Sequence, residues 1–455
     1  MSRKLLWSIY ALFLVCGVAQ AAIVPLLPRL SSEYGLSPSE TGLLLALPGL
    51  ATLAVSVPSG VLADKIGARR CTLIAGAVLA VSCAAQALPS LAALLAGRAL
   101  FGIAFGVVWT TGVAWLAETD AEYGGSRIGP SVTCASVGMM LGPALGGVLA
   151  GAGATGLPFL LITIVSGVVM VPLTLGGGGT RRSTARSGAV SAQSAHAPAD
   201  TGAAEAADSL GDLEAAEMAR AVGYTEAAEL AFAYGYGEPV PYGGDGKGRL
   251  RELTLALRRP GVVAATGALA VSGAVSSVSQ LLISGGLHHD GLSTGRIGLA
   301  FSMAAISYIV VSVAVVRLGE RVHTLRLNAV FTTAMALVLL PALLSGSAPV
   351  LIATLMVASM PRAAVSTISY SLASSSSAAN AGTAGGSSDG SVFGVVNGAW
   401  AGSMVLTPLL AGLLEQHGGA RVGFLAVIVP ATAIAVGLLM RSRPASVRAQ
   451  ATILS

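Results

Sequence analysis

The sequence predicts an all-α membrane protein with twelve transmembrane helices in two pseudo-symmetric six-helix bundles. Three observations carry that reading. Of 455 residues, 54% are hydrophobic and only 10% charged, with a mean hydropathy of +0.78, whereas a soluble domain carries about 25% charged residues. Apolar segments of roughly 20 residues, the length that crosses a bilayer, recur along the chain. The first half of the sequence also repeats in the second. Hydrocarbon offers no partner to a free N–H or C=O, so such segments are helices that pair their backbone internally.

The twelve segments fall at 7–28, 41–62, 72–89, 91–116, 128–150 and 156–175, then at 260–286, 294–316, 325–345, 349–372, 391–414 and 420–440. Arg3 and Lys4 precede the first, but Pro25, Pro28 and Arg29 follow it where a signal peptide would have small residues, so this helix is expected to be retained. Ser37-Pro38-Ser39-Glu40 opens the second as a capping box with proline at the first helical position. The fifth carries Gly129, Gly138, Gly142, Pro143, Gly146 and Gly147. Glycines so spaced leave a groove that a neighbouring backbone can enter, and Pro143 removes one helical hydrogen bond and bends the segment. Ordinary helix packing also uses small residues at such spacings.

The stretch from Gly176 to Gly248 is rich in Gly, Ser, Ala and then acids, and reads as a flexible linker. It ends in the basic amphipathic run Arg249–Arg259, which fits either a helix lying on a membrane surface or a solvated linker end. The Ser/Gly-rich run Ser374–Gly390 reads as a mobile loop. The organisation expected is an N-terminal bundle at 1–175, a linker at 176–259, a C-terminal bundle at 260–441 and a tail at 442–455.

Lys and Arg set the orientation. With the central loop set aside and the N-terminus inside, the cytoplasmic positions hold Arg3, Lys4, Lys65, Arg69, Arg70, Arg127, Arg317, Arg321, Arg326, Arg441, Arg443 and Arg448, and the opposite side only Arg29, Arg296 and Arg421. Both termini are therefore expected in the cytoplasm and the chain in the cell membrane. Cys16, Cys71, Cys83 and Cys134 have no metal-ligand spacing and read as small core residues. No P-loop, zinc spacing or Ser/His/Asp set is present, so neither an enzyme nor a nucleotide-driven pump is expected, nor any cofactor or metal. Nothing resembles a nucleic-acid patch.

The duplication is read residue by residue. Gly35-Leu36-Ser37 returns as Gly291-Leu292-Ser293, and Gly42-Leu43 as Gly298-Leu299. Asp64-Lys65 falls on Glu320-Arg321 and Arg70 on Arg326. After a shift of 8 residues Arg98 falls on Arg362, and after one more Gly129, Pro143 and Gly147 fall on Gly394, Pro408 and Gly412. Two parallel six-helix halves are the plan of a large class of secondary transporters.

Gly60-Val61-Leu62-Ala63-Asp64-Lys65-Ile66-Gly67-Ala68-Arg69-Arg70 resembles the signature loop of the major facilitator superfamily, departing from it at Ala68, where the family usually has Arg. Arg98 with Gly102 and Gly106 is similar to that family's second motif, and the glycine–proline pattern of the fifth segment to the motif of its drug–proton antiporter (efflux, multidrug resistance) branch. The resemblance implies the major facilitator fold and a conformational switch built from Gly60, Asp64, Lys65, Gly67, Arg69 and Arg70. Asp64 would latch the inner ends of helices two and eleven near Ser391, and the basic residues would link it to Glu118.

Arg98 and Arg362 are the formally charged residues placed well inside spanning segments. Each costs roughly 2.5–3.5 kcal/mol at a helix centre, so each is expected to face a polar cavity or a partner. Backbone carbonyls or snorkelling remain the alternative for Arg98. No acid falls in the middle of a membrane segment, and all five histidines lie in loops or at segment ends. A pocket of Arg362, Arg98, Gln20, Trp109, Thr110, Gln280, Tyr308, Asn397 and Trp400 would favour an anionic or neutral amphiphile over a cation. The expected function is secondary active export of such a small molecule by a monomer in a lipid bilayer, with protons as a candidate coupling ion. An organic-acid importer on the same fold, and a non-transporting sensor that acts through the central loop, are the rival readings.

Overall fold

The computed structural model describes residues 3–119, 128–175, 259–318, 322–378 and 389–442. Most of the expected linker, the tail beyond Ser442, Arg127, Glu320, Arg321 and most of the Ser/Gly-rich run lie outside the described residues. Eleven helices among the described residues are long and apolar enough to cross a membrane. We label them α1 (Arg3–Tyr34), α3 (Ala68–Ala87), α4 (Leu91–Leu116), α6 (Leu157–Leu175), α7 (Pro260–His289), α8 (Thr294–Leu318) and α9 (Leu325–Leu344). With them stand α2 (Pro38–Ile66), α5 (Ile128–Ala152) and α10 (Ala348–Ala378). The last run, Asp389–Arg441, leaves helical geometry at Gly419 (φ 77°, ψ 174°). It is therefore two helices, α11 (389–418) and α12 (420–441), which makes twelve such helices among the described residues, the number that the sequence predicts.

Turn chemistry explains the short connections. Ser37 accepts the Glu40 N–H, and Glu40 accepts the Ser37 N–H at 2.7 Å, which completes the capping box with Pro38 at the first turn of α2. Gly35 (φ 63°) ends α1, and its repeat partner Gly291 (φ 85°) follows α7. Both sit in the left-handed region, where a Cβ would strain the turn. Arg29, an exception to the basic bias, hydrogen-bonds Ala150 O (2.6 Å) and Gly153 O (3.3 Å), closing the carbonyl end of α5.

The packing obeys the repeat. α1 lies on α5 and α6, α2 on α4, and α3 on α4 and α6. Six helices later, α7 lies on the α11–α12 hairpin, α8 on α10, and α9 on α10 and the hairpin. Each half has its own core, one around Phe13, Phe101, Phe105 and Trp109, the other around Val271, Leu282, Phe301 and Phe424. Between halves, α2 packs on α11 and α5 on α8. We call the end carrying Gly35, Gly153, Gly291 and Gly419 the far end, and the other, where Arg3 and Ser442 lie, the termini end.

The fifth-helix glycines do two jobs. Gly138, Gly142 and Gly146 lie against the backbone oxygens of Leu14, Val18 and Ala22 on α1, so that a Cβ at any of them would collide with that helix. Gly147 faces α8 instead. The groove read from the sequence is thus filled by α1 on one side and by the other half on the next. Two helices are irregular at repeat-related places: α1 tightens to a 3-10 turn at Val24–Leu26, and α7 widens to a π turn at Ser279–Ile283. Such breaks in long helices mark hinges or binding positions.

Candidate functional site

A cavity lies between the halves, with an empty volume of about 1270 Å³ including its open mouth. Its walls come mainly from the second half. α7 supplies Ser272, Ser276, Ser279 and Gln280; α10 supplies Ser359, Arg362, Ser366 and Tyr370; α8 adds Tyr308, and α11 Trp400 and Met404. From the first half, Gln20 and Val24 of α1 and Met139 and Pro143 of α5 close the opposite side. Ser359, Arg362 and Ser366 share one face of α10 because their spacings of three and four match the helical turn. Ser272, Ser276 and Ser279 do the same on α7.

Half-buried Arg362 carries the cavity's formal charge, and its guanidinium carbon stands 5.4 Å from the Tyr308 ring centroid. That distance is a cation–π contact, which fixes the guanidinium beside the ring in the cavity wall. Gln280 Nε2 donates to Ser276 Oγ at 3.3 Å, and Ser284 Oγ donates to Gln280 O at 2.5 Å across the π turn. Ser279 and Ser359 return their hydroxyls to Val275 O (2.7 Å) and Met356 O (2.6 Å), leaving their oxygen lone pairs as acceptors. Among the described lining residues there is no Asp, Glu, Lys or His.

Not every expected residue joins this cavity. Gln20, Gln280, Tyr308, Arg362 and Trp400 do. Arg98 and Trp109 do not, which corrects the expectation that both line it. Arg98 is 0% exposed, lies 5.3 Å over the Phe101 ring, and none of its three guanidinium nitrogens has a hydrogen-bond partner. Trp109 is 0% exposed and packs edge-on against Phe13, ring centroids 5.0 Å apart. Thr110 returns its hydroxyl to Gly106 O at 2.8 Å, outside the lining set. The backbone of Asn397 belongs to α11, and its side chain lies outside what is described.

The glycines explain the asymmetry. Gly102 of α4 lies against Pro48 of α2, and Gly106 against Thr52 and Val55. The Thr52 hydroxyl donates to Gly102 O at 2.8 Å. α2 is thereby drawn onto α4 one turn on from Arg98, which is itself buried against Phe101. At the repeat-equivalent places on α10 stand Ser366 and Tyr370, too large for such closeness, and both line the cavity. Ser276, Ser279, Ser359, Ser366 and Tyr370 were missed as site residues in the sequence. Their i, i+3, i+4 placement beside Gln280 and Arg362 was the available signal.

At the signature loop, Gly67 (φ 92°, ψ 138°) caps α2 by donating its N–H to Ala63 O at 2.8 Å, and α3 starts at the next residue. The side chains of Asp64, Glu118 and Ser391 lie outside what is described. Arg69 Nη2 donates to Leu173 O at 3.3 Å, and its guanidinium carbon lies 5.7 Å from the Trp115 ring. Lys65 and Arg70 are exposed. These basic residues thus reach the end of α6, the Trp115 face and solvent.

The two seams are closed on the far side of the cavity. Ser302 of α8 donates to Met140 O (2.7 Å) and accepts from Ala144 N (3.0 Å) of α5. Ser39 of α2 hydrogen-bonds Gln416 of α11. Toward the termini end, Gly398 and Gly402 of α11 meet nothing within 4 Å, and Gly60 of α2 meets only Thr110 of its own half.

Comparison with known proteins places this architecture. A solved bacterial homologue of the human lysosomal transporter Spinster, in an inward-facing and unoccupied conformation, superimposes with a TM-score of 0.67. It covers 97% of this chain and 98% of that one at 14% identity, which shows a common fold. Among curated relatives, an uncharacterized MFS-type transporter of Schizosaccharomyces pombe is 34% identical over 135 residues, 28% of this chain and 30% of that protein. The MFS-type transporter ppzB of Metarhizium majus is 40% identical over 101 residues, 22% of each. The quinolone resistance protein NorA of Staphylococcus aureus is 28% identical over 148 residues, 32% of this chain and 37% of that one. The chain thus spans well under half the length of these curated relatives in the matched regions. The family described as the Major Facilitator Superfamily matches residues 9–388, and this multi-pass membrane protein belongs to that superfamily.

Proposed function

We propose that this protein is a secondary active exporter of a small anionic or neutral amphiphile, working by alternating access. The observation that carries the substrate class is Arg362, a cation set against Tyr308 in a cavity whose described lining holds no acid. The rest of the lining is amphiphilic, with serine and glutamine groups beside Phe301, Leu269, Leu355, Trp400 and Met404. It suits a ligand with an acceptor-rich head and an apolar body. A lipophilic cation would meet like charge, with no carboxylate to offset its desolvation.

Three features support export across the cell membrane. The fifth-helix glycine–proline pattern resembles that of the efflux branch, NorA is a resistance protein by name, and the basic residues crowd the termini end, which we assign to the cytoplasm. In that frame the seams closed at the far end face outward, which supports loading from the cytoplasm. Asp64 and the basic residues of the signature loop would then hold the inner rim shut in the opposite state. The described lining of the cavity holds no carboxylate and no imidazole. Proton coupling would therefore run through the substrate or through Asp64 and Glu118. Counterflow in proteoliposomes with a panel of organic anions, neutral amphiphiles and lipophilic cations, with and without a pH gradient, tests the reading. Uptake confined to cations would overturn it.

A further inference from the structure

α8 presents two unlike faces. At about 100° of turn per residue, Phe301, Ala304, Ala305 and Tyr308 share the face that lines the cavity. Leu299, Met303, Ile306 and Val310 fall on the opposite face, each 49–61% exposed. Toward the termini end this outer face becomes concave. Ile309, Val310, Val313, Ala314, Arg317 and Leu318 line an open groove with an empty volume of about 920 Å³. Ala314 forms the hollow, since its neighbours four residues away on the same row are the larger Val310 and Leu318. The groove ends in a cation. Arg317 is exposed in the last turn of α8 and has no hydrogen-bond or ion-pair partner among the described residues, so it does not cap the carbonyl end of its own helix.

We propose that this groove binds one anionic phospholipid from the leaflet at the termini end, with Arg317 on the headgroup phosphate and an acyl chain along Val310, Val313 and Ala314. Length supports a lipid over a free anion. Ile309 to Leu318 rises about 14 Å, close to half of the roughly 30 Å hydrocarbon core, so a headgroup at Arg317 places the hollow at acyl-chain depth. Charge supports an anionic lipid. A guanidinium pairs two donors with phosphate oxygens, whereas a zwitterionic headgroup would bring its own ammonium near the same cation. In the orientation proposed above this is the cytoplasmic leaflet, whose surface is negative. The first half has no counterpart, because the repeat places Val61 of α2 where Arg317 stands.

The full-length protein in neutral detergent, given equal amounts of phosphatidylglycerol and phosphatidylcholine with identical chains, tests this by native mass spectrometry of the retained lipid. The unmodified protein is expected to keep one phosphatidylglycerol in preference to phosphatidylcholine. Arg317→Gln should lower that preference by roughly fivefold, and Arg317→Lys should keep most of it. Ala314→Leu fills the hollow without touching the charge and should lower retention of both lipids by roughly the same factor. Arg296→Gln removes one exposed charge at the other end of α8 and should change neither; an effect equal to that of Arg317→Gln would reduce the preference to net charge and overturn the proposal. Equal retention of the two lipids by the unmodified protein would overturn it, as would unchanged retention in folded Arg317→Gln or Ala314→Leu. Displacement of the lipid by millimolar inorganic phosphate would mark a free-anion site and also overturn it. Should Arg317→Gln fail to fold, Ala314→Leu decides alone.

Discussion

Replacing Arg362 by Gln removes the cavity's formal positive charge and keeps a side chain that hydrogen-bonds. A monoanion about 4 Å from a guanidinium gains about 4 kcal/mol at an effective dielectric constant near 20. Arg362 is half-buried and its cavity open, so water lowers this to roughly 1–3 kcal/mol, or about 5- to 150-fold in apparent affinity. The assay is concentration-dependent counterflow of a fluorescent organic anion in proteoliposomes. Arg362→Gln should raise the half-saturating concentration by that factor. A neutral amphiphile should change by less than about threefold, because it never gained the Coulomb term. Arg362→Lys keeps the charge and loses the planar contact with Tyr308, so it should fall between. Equal losses for anion and neutral compound, or none for either, would refute the electrostatic reasoning.

Three other outcomes are expected. Arg98→Met should leave the melting temperature in detergent unchanged or higher, because a guanidinium with three unpartnered nitrogens is exchanged for an apolar side chain of similar length; a fall of more than about 5 °C would show a partner this state does not reveal. Asp64→Asn should nearly abolish counterflow while membrane insertion and the melting curve persist, and full activity would remove the latch from the account. Deleting Arg181–Asp245 should leave transport close to normal in the same assay; loss of activity would favour the sensor reading.

Much of this was legible because lipid leaves so few solutions. Span length and the need to pair backbone gave the twelve helices, and the Gly35/Gly291 and Pro143/Pro408 matches gave two related halves. The capping box at Ser37 was likewise local chemistry. The division of labour between the halves was harder to read. Arg98 and Arg362 are equivalent in the repeat, and charge alone assigns both to one cavity. Gly102 and Gly106 admit α2 beside the first, whereas Ser366 and Tyr370 stand at the corresponding places beside the second and line the cavity with it. The relevant signal was the size of the residue four places on, compared between halves, rather than the arginine itself. The fifth-helix glycines were read as a groove, but which neighbour fills it depends on the helix face. Gly138, Gly142 and Gly146 turn to α1, and Gly147, one residue on, turns to α8.

The most direct measurement is competition in unmodified protein: uptake of a neutral fluorescent amphiphile into inside-out vesicles, challenged with matched concentration series of a lipophilic carboxylate and a lipophilic phosphonium of similar size. A cavity centred on Arg362 without a carboxylate requires the carboxylate to inhibit at the lower concentration. Inhibition by the phosphonium alone would contradict the account at its root.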